Sequence, residues 1–327
     1  MALSFRFSNE SPVSSHLSPS FLKALGMTLI LLLSIGTSFR SPQLPPSAHG
    51  WQWSVFGSDH RREVVLDHSP LQAIGRIELQ PEGVIPWLHT GGIPICTGTL
   101  VGIDLVLTNA HCVLDRETGL PTKKAIWFRP AFHRDSPPRA ARATKLWLGS
   151  MKPSQDRAHD FALLRLDQPY GESYSWLELA PLPESPSTLP LTTSLVAYGT
   201  DVQDGGVPLI HRDCALTAFD VRGDYFRHDC DMNAGGSGGP LLTMTGGRPR
   251  IFAINAAHIV PKPISYLNEF TPELANVAVG SHRFAAVIDS LRQDLPLPSH
   301  VQLFPIDLSP LLSSDSLTGV RASAAVP

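Results

Sequence analysis

The stretch NAGGSGGPLL, Asn233–Leu242, packs four glycines around one hydroxyl, that of Ser237. A serine hydroxyl is a weak nucleophile until a neighbouring base takes its proton. Attack on a carbonyl also creates an oxyanion, which needs N–H donors aimed at it. Glycines ahead of the serine give the backbone the dihedral freedom to point amides at one spot. Gly235 and Ser237 are therefore the expected amide donors, while Gly238 and Gly239 let chain and substrate approach closely. The blander reading is a flexible glycine-rich loop.

A base and an orienting carboxylate decide between the two. Among 13 histidines, His111 stands apart. It follows the strand-like run DLVLTNA and adjoins Cys112, where a disulfide would pin its backbone. A fixed general base contributes about 10²–10⁴ in rate. The alternative is a structural histidine at a strand end. A carboxylate must then hold the imidazole in the correct tautomer. Asp160 leads directly into the buried-looking run FALLRL, whereas Asp115, Asp156 and Asp167 keep polar company. Taken alone, Asp160 also reads as an N-cap or turn aspartate.

The elements that would position these residues are short strands. The chain has 327 residues, 43% of them hydrophobic and 17% charged, enough for a substantial buried core. Proline and glycine are abundant and helical periodicity is scarce, which favours strands and turns. Apolar runs separated by turn residues fill two sets. AIGRIEL, PICTGTLV, DLVLTN, KAIWF, TKLWLG and FALLRL precede the proline-rich joint Ala180–Leu191. SLVAYG, CALTAFDV, DYFRHDC, GPLLTM and RIFAINAA follow it. Two β-subdomains result, with boundaries at 55–180 and 181–293. The second ends in a helix over Ser281–Asp294, with Ser281 as its cap and Phe284, Val287, Ile288 and Leu291 on one face. Residues 294–327, rich in Pro, Ser and Leu, are expected to be poorly ordered.

Lys23 precedes the apolar run ALGMTLILLLSIG, which has the length of a secretory h-region rather than of a membrane span. Residues 1–36 read as a signal peptide and 37–54 as a pro-segment or linker. Secretion or delivery to a periplasm follows, with no stable membrane association after cleavage. An oxidising compartment turns the even count of Cys96, Cys112, Cys214 and Cys230 into two disulfides. Cys214 and Cys230 are equidistant from Arg222 and would face each other across a hairpin. Cys96 and Cys112 have the same separation around the turn at Gly102–Asp104. A competing reading takes His211, Cys214, His228 and Cys230 as four zinc ligands. The tripeptide Arg222-Gly223-Asp224 matches an adhesion motif and also suits a plain turn. The net charge of −3 and the lack of a basic block exclude nucleic acid as an expected partner.

The blocks CTGTLVGIDLVLTNAHCV, HDFALLRLD and GGSGGPLL, in that order, resemble the three signatures of the chymotrypsin-like serine proteases. The resemblance spans Val55 to Leu291. It implies two antiparallel six-stranded β-barrels with the site in the cleft between them, and a C-terminal helix. It makes His111 the general base, Asp160 its partner and Ser237 the nucleophile, with Gly235 and Ser237 as oxyanion donors. The implied function is an exported endopeptidase acting on protein or peptide through an acyl-enzyme, without cofactor or catalytic metal. A catalytically silent binding protein of the same fold is the alternative. The short interval from Asp160 to Ser237, GSDHRR and LVAYGTD resemble the bacterial glutamyl-endopeptidase branch. In that branch a histidine holds the substrate carboxylate where this chain has Asn255, so Asn255 is an expected substrate contact. Asp231, six residues before Ser237, matches the specificity aspartate of trypsin-like enzymes and implies preference for Arg or Lys. Gly236 replaces the aspartate that trypsin-type enzymes pair with a new N-terminus, so activation by that ion pair is not expected. Nothing in the sequence specifies an oligomeric state.

Overall fold

Runs of aliphatic and β-branched residues, each broken by Gly, Pro or Asp, form the strands of two closed antiparallel rings. A computed structural model describes residues 54–68, 70–80, 92–135, 140–181, 189–258 and 270–309. The expected leader lies outside them, as does the connector apart from Ser54.

The first ring contains β2 (Ile74–Leu79), β3 (Ile93–Leu100), β4 (Leu105–Thr108), β5 (Ile126–Pro130), β6 (Ala141–Leu148) and β7 (Ala162–Leu166). Its circular order is β2-β3-β4-β7-β6-β5, closed because β2 pairs with both β3 and β5. The second ring contains β8 (Leu191–Ala197), β9 (Leu209–Asp220), β10 (Tyr225–His228), β11 (Pro240–Thr245), β12 (Arg248–His258) and β13 (Asn276–Gly280). Its order is β8-β9-β10-β13-β12-β11, closed by β8 against β9. Both rings thus wind through the same order, first-second-third-sixth-fifth-fourth. Closure removes the free edges that invite aggregation. Each ring carries one extra strand. β1 (Arg62–Glu63) adds to β9, and β14 (Phe304–Asp307) adds to β6.

Those two additions correct the expected boundaries. The chain from Ser54 to Glu63 lies against the second barrel, although it precedes the first. Residues 304–307, expected in a poorly ordered tail, pair with the first barrel. Of the helices, α1 is the single turn Gly171–Tyr174 and α2 is Ala285–Arg292. The expected apolar face is present, with Phe284, Val287, Ile288 and Leu291 buried. The expected cap is not. Ser281 instead opens a 3₁₀ turn, Ser281–Arg283, and no side chain caps α2.

The cysteine pairs are both bonded, Cys96 to Cys112 and Cys214 to Cys230. A β-bulge sets the second pair. Tyr225 faces Asp220 and Arg227 faces Ala218, but after the bulge His228 faces Leu216. That one-residue shift brings Cys214 opposite Cys230. With both sulfurs consumed, the four-ligand zinc reading fails. Arg222-Gly223-Asp224 is the hairpin turn, and the Asp224 carboxylate faces inward to His282 Nε2 at 3.0 Å and to Arg283.

Among the described residues the core is largely apolar, and the charges buried in it are paired. Glu78 is fully buried between Arg76 Nε at 2.8 Å and Arg129 Nε at 3.0 Å, and its second oxygen accepts the Gly92 amide at 2.7 Å. A buried charge persists only when paired and hydrogen-bonded in this way.

Candidate active site

Antiparallel pairing of β4 with β7 places Thr108 opposite Ala162. Chain leaving β4 therefore meets chain entering β7, and His111 arrives beside Asp160. His111 lies in a 3₁₀ turn, Ala110–Cys112, tied to β3 by the Cys96–Cys112 bond. Its Nδ1 is 2.7 Å from Asp160 Oδ2, and its backbone N–H donates to Asp160 Oδ1 at 3.0 Å. Asp160 is 4% exposed, and Asn109 Nδ2 donates to its main-chain oxygen at 2.6 Å. With Nδ1 engaged by a carboxylate, the proton on that nitrogen is fixed and Nε2 is left to exchange protons.

His111 and Ser237 line one cleft of about 1170 Å³ between the barrels, together with Gly235, Asn255 and the Cys96–Cys112 bridge. Ser237 is half-buried at the end of the loop that enters β11. Its main-chain oxygen accepts the Thr97 amide at 2.8 Å, a bond that joins the glycine-rich loop to the first barrel.

The glycines of this loop have a steric reason. Gly235 has φ +92° and Gly238 φ +79°. A Cβ on Gly235 would run into the Tyr198 carbonyl, and one on Gly238 into the Thr97 carbonyl. Both positions exclude any other residue on conformation and on space.

The carbonyls leading up to Ser237 are held. Ala234 O accepts Thr200 N at 2.7 Å and Thr200 Oγ1 at 3.0 Å, while Gly235 O accepts Thr97 Oγ1 at 3.0 Å. A trans peptide points its N–H opposite its C=O. Fixing Ala234 O on Thr200 thus turns the Gly235 N–H the other way. Among the described residues, neither the Gly235 nor the Ser237 N–H donates to a protein acceptor. Thr97 and Thr200 escaped the sequence reading, because a single threonine carries no motif.

Two expected substrate contacts sit differently. Asp231 is 1% exposed and its carboxylate is spent on the chain before β1. Oδ1 accepts Phe56 N at 2.8 Å; Oδ2 accepts His60 N at 2.8 Å and faces His60 Nδ1 at 3.0 Å. The Asp231 amide donates to His211 Nδ1 at 2.7 Å. This aspartate anchors a strap and does not line the cleft, so its position in the sequence misled. Asn255 does border the cleft but is 2% exposed, with its amide turned inward to Gly236 O at 3.1 Å and His228 Nε2 at 3.0 Å. Burial pushes the His228 imidazole down to about 3, so it is neutral. His258, at the cleft margin, is also lowered by burial and then by Arg157.

Comparison with known proteins agrees with this fold. A family model described as Trypsin matches residues 78–266. No curated protein matches the chain. A solved Glu endopeptidase in complex with MPD is similar in fold, with TM-score 0.56 and 18% identity, over 73% of this chain and 99% of that one. The protease Anisep from Arthrobacter nicotinovorans aligns over 67% of this chain and 93% of its own, with 16% identity and TM-score 0.48. The family model covers more than half of the chain, the fold is the expected pair of six-stranded antiparallel barrels, and this protein belongs to the trypsin family of serine-type peptidases.

Proposed function

We propose that the chain is an exported serine endopeptidase in which Ser237, His111 and Asp160 act as a triad. The observation that carries this reading is the buried Asp160 carboxylate on His111 Nδ1, at the wall of the cleft that Ser237 also lines. In the first half-reaction the Ser237 Oγ–carbonyl carbon bond forms as His111 Nε2 takes the hydroxyl proton. The carbonyl oxygen becomes an oxyanion between the Gly235 and Ser237 amides. Collapse breaks the C–N bond, and His111 returns the proton to the leaving amine. In the second half-reaction water attacks the ester, gives its proton to His111, and releases the acid with Ser237 restored. Asp160 stabilises the imidazolium in each half without taking its proton. The substrate is a protein or peptide.

Export is supported by the apolar leader of the sequence and by the two disulfides, which persist in oxidising compartments. Among the described residues no helix is long and apolar enough to cross a membrane.

An active-site phosphonate, which requires an activated serine, tests the reading directly. The purified secreted chain is expected to be labelled and to digest casein, and Ser237→Ala to do neither. Labelling that survives in Ser237→Ala would remove the assignment of the nucleophile.

A further inference from the structure

Gly236 brings no side chain to hold the peptide that ends in the Ser237 amide, so its orientation must be imposed from outside. Asn255 is placed to do so. From β12, which pairs with β11 and β13 in the closed second barrel, it grips the nucleophile loop at three points. Its Nδ2 donates to Gly236 O at 3.1 Å, its main-chain oxygen accepts Gly238 N at 2.8 Å, and its amide donates to Gly239 O at 2.8 Å. Gly236 O also accepts Gly239 N at 3.0 Å. That bond lies within the loop and moves with it. Asn255 supplies the anchor fixed to the barrel.

We propose that Asn255, seated on the buried His228, is the positioning residue that holds the Gly236–Ser237 peptide with its N–H turned toward the oxyanion. This rests on the assignment of Ser237 as nucleophile. The polarity runs in one sense only. The Gly236 carbonyl needs a donor, so Nδ2 of Asn255 faces it. Oδ1 then faces His228 Nε2 at 3.0 Å and requires the imidazole proton there. His228 is wholly buried and stays neutral. With the carbonyl held inward, the trans peptide turns the Ser237 N–H outward. Asn255 thus acts through the backbone and not by touching substrate.

The test uses the full secreted chain. Asn255→Asp keeps the size and the acceptor facing His228 but replaces the donor with a second oxygen against Gly236 O. Removing an oxyanion donor outright costs about 10²–10³ in kcat, and a misaimed one is expected to cost roughly 10- to 100-fold. KM for the same peptide should stay within about twofold, because Asn255 is almost wholly buried and its side chain turns inward to Gly236 O and His228. Affinity for a peptide aldehyde, whose hemiacetal places an oxyanion in the same spot, should fall in proportion to kcat. His228→Gln, which retains an N–H donor, should keep most of the activity that His228→Leu loses. The proposal is overturned by a folded Asn255→Asp variant with unchanged kcat, or by a loss confined to KM. Equal kcat in the two His228 variants overturns it too, which covers an Asn255 variant that fails to fold. If wild type is labelled by the phosphonate and Ser237→Ala is not, either result removes this inference alone. Labelling of Ser237→Ala removes the reading beneath it.

Discussion

His111 and Asp160 divide their exposure unequally, and the division matters. The carboxylate is buried, while the imidazole side chain is about one-third exposed, at 33%. A carboxylate out of water interacts more strongly with a charge that develops beside it. Asp160→Asn would keep the shape but present an N–H to Nδ1 or force the proton onto Nε2. We expect kcat to fall by roughly 10⁴ with KM little changed, the cost of the wrong tautomer. Steady-state kinetics on a peptide amide measures it, and a fall below tenfold would show that Asp160 does not orient the base. At this scale the sequence was legible where a residue's placement is marked by its neighbours along the chain. Ser237 lies among its glycines, His111 beside a cysteine, Asp160 at the foot of an apolar run. Thr97, Thr200 and His228 were not legible. Each acts on a residue more than 20 positions away, through a contact that only the closed barrels create.

Asp231 belongs to an element, the strap running from Ser54 into β1. Ser54 O accepts the Met232 amide at 2.8 Å and Asn276 Nδ2 at 3.1 Å. Further along, Arg61 is clamped by Asp59 at 2.7 Å and Asp201 at 2.6 Å, and Asp201 also accepts Asn233 Nδ2 at 2.8 Å. The strap therefore reaches the start of the glycine-rich loop that carries Ser237 through Asp201. Asp231→Asn leaves two backbone donors and His60 competing for one acceptor oxygen. It should lower stability by about 1–3 kcal/mol, the range for an unsatisfied buried polar group, and leave the preference at the cleavage site as in wild type. Peptide-library profiling beside thermal unfolding checks both. A selective loss of cleavage after Arg and Lys would return Asp231 to the substrate pocket. The expected aspartate was read from its distance to Ser237, and distance along the chain does not report which way a side chain turns. The strands were legible because alternation and turn residues are local. β13 was not, because NVAVG is short and its residues 276–280 are all buried, which leaves no alternation to read. β14 was hidden by its proline-rich setting, since its pairing partner is β6, far upstream.

Over the whole molecule, folding takes several histidines partly or wholly out of water. His228 is pushed down to about 3 by burial. His211 is lowered chiefly by burial, and His282 by burial and then by His159. His258 is lowered in the same direction. An unfolded chain protonates such groups near pH 6.5, while the folded chain does not until lower pH. The unfolded state then binds more protons, so stability falls as pH falls. The histidine contribution is complete above about pH 6.5 and is lost progressively below it, in the case of His228 down to about pH 3. Carboxylates held low, such as Asp220 by the Gly223 amide and Arg227, act in the same direction but only below about pH 4. The interval from pH 6.5 to 5 therefore reports on histidine. His228 alone should account for a loss of about 2 kcal/mol across it, at roughly 1.4 kcal/mol per pH unit. In a chain of this size that corresponds to a fall in Tm of roughly 4–8 °C. Calorimetry of wild type and His228→Gln across that interval separates the contributions. The variant's Tm should decline less steeply than that of wild type. Parallel curves would mean that His228 titrates no differently in the folded and unfolded chain, and that burial does not hold it neutral.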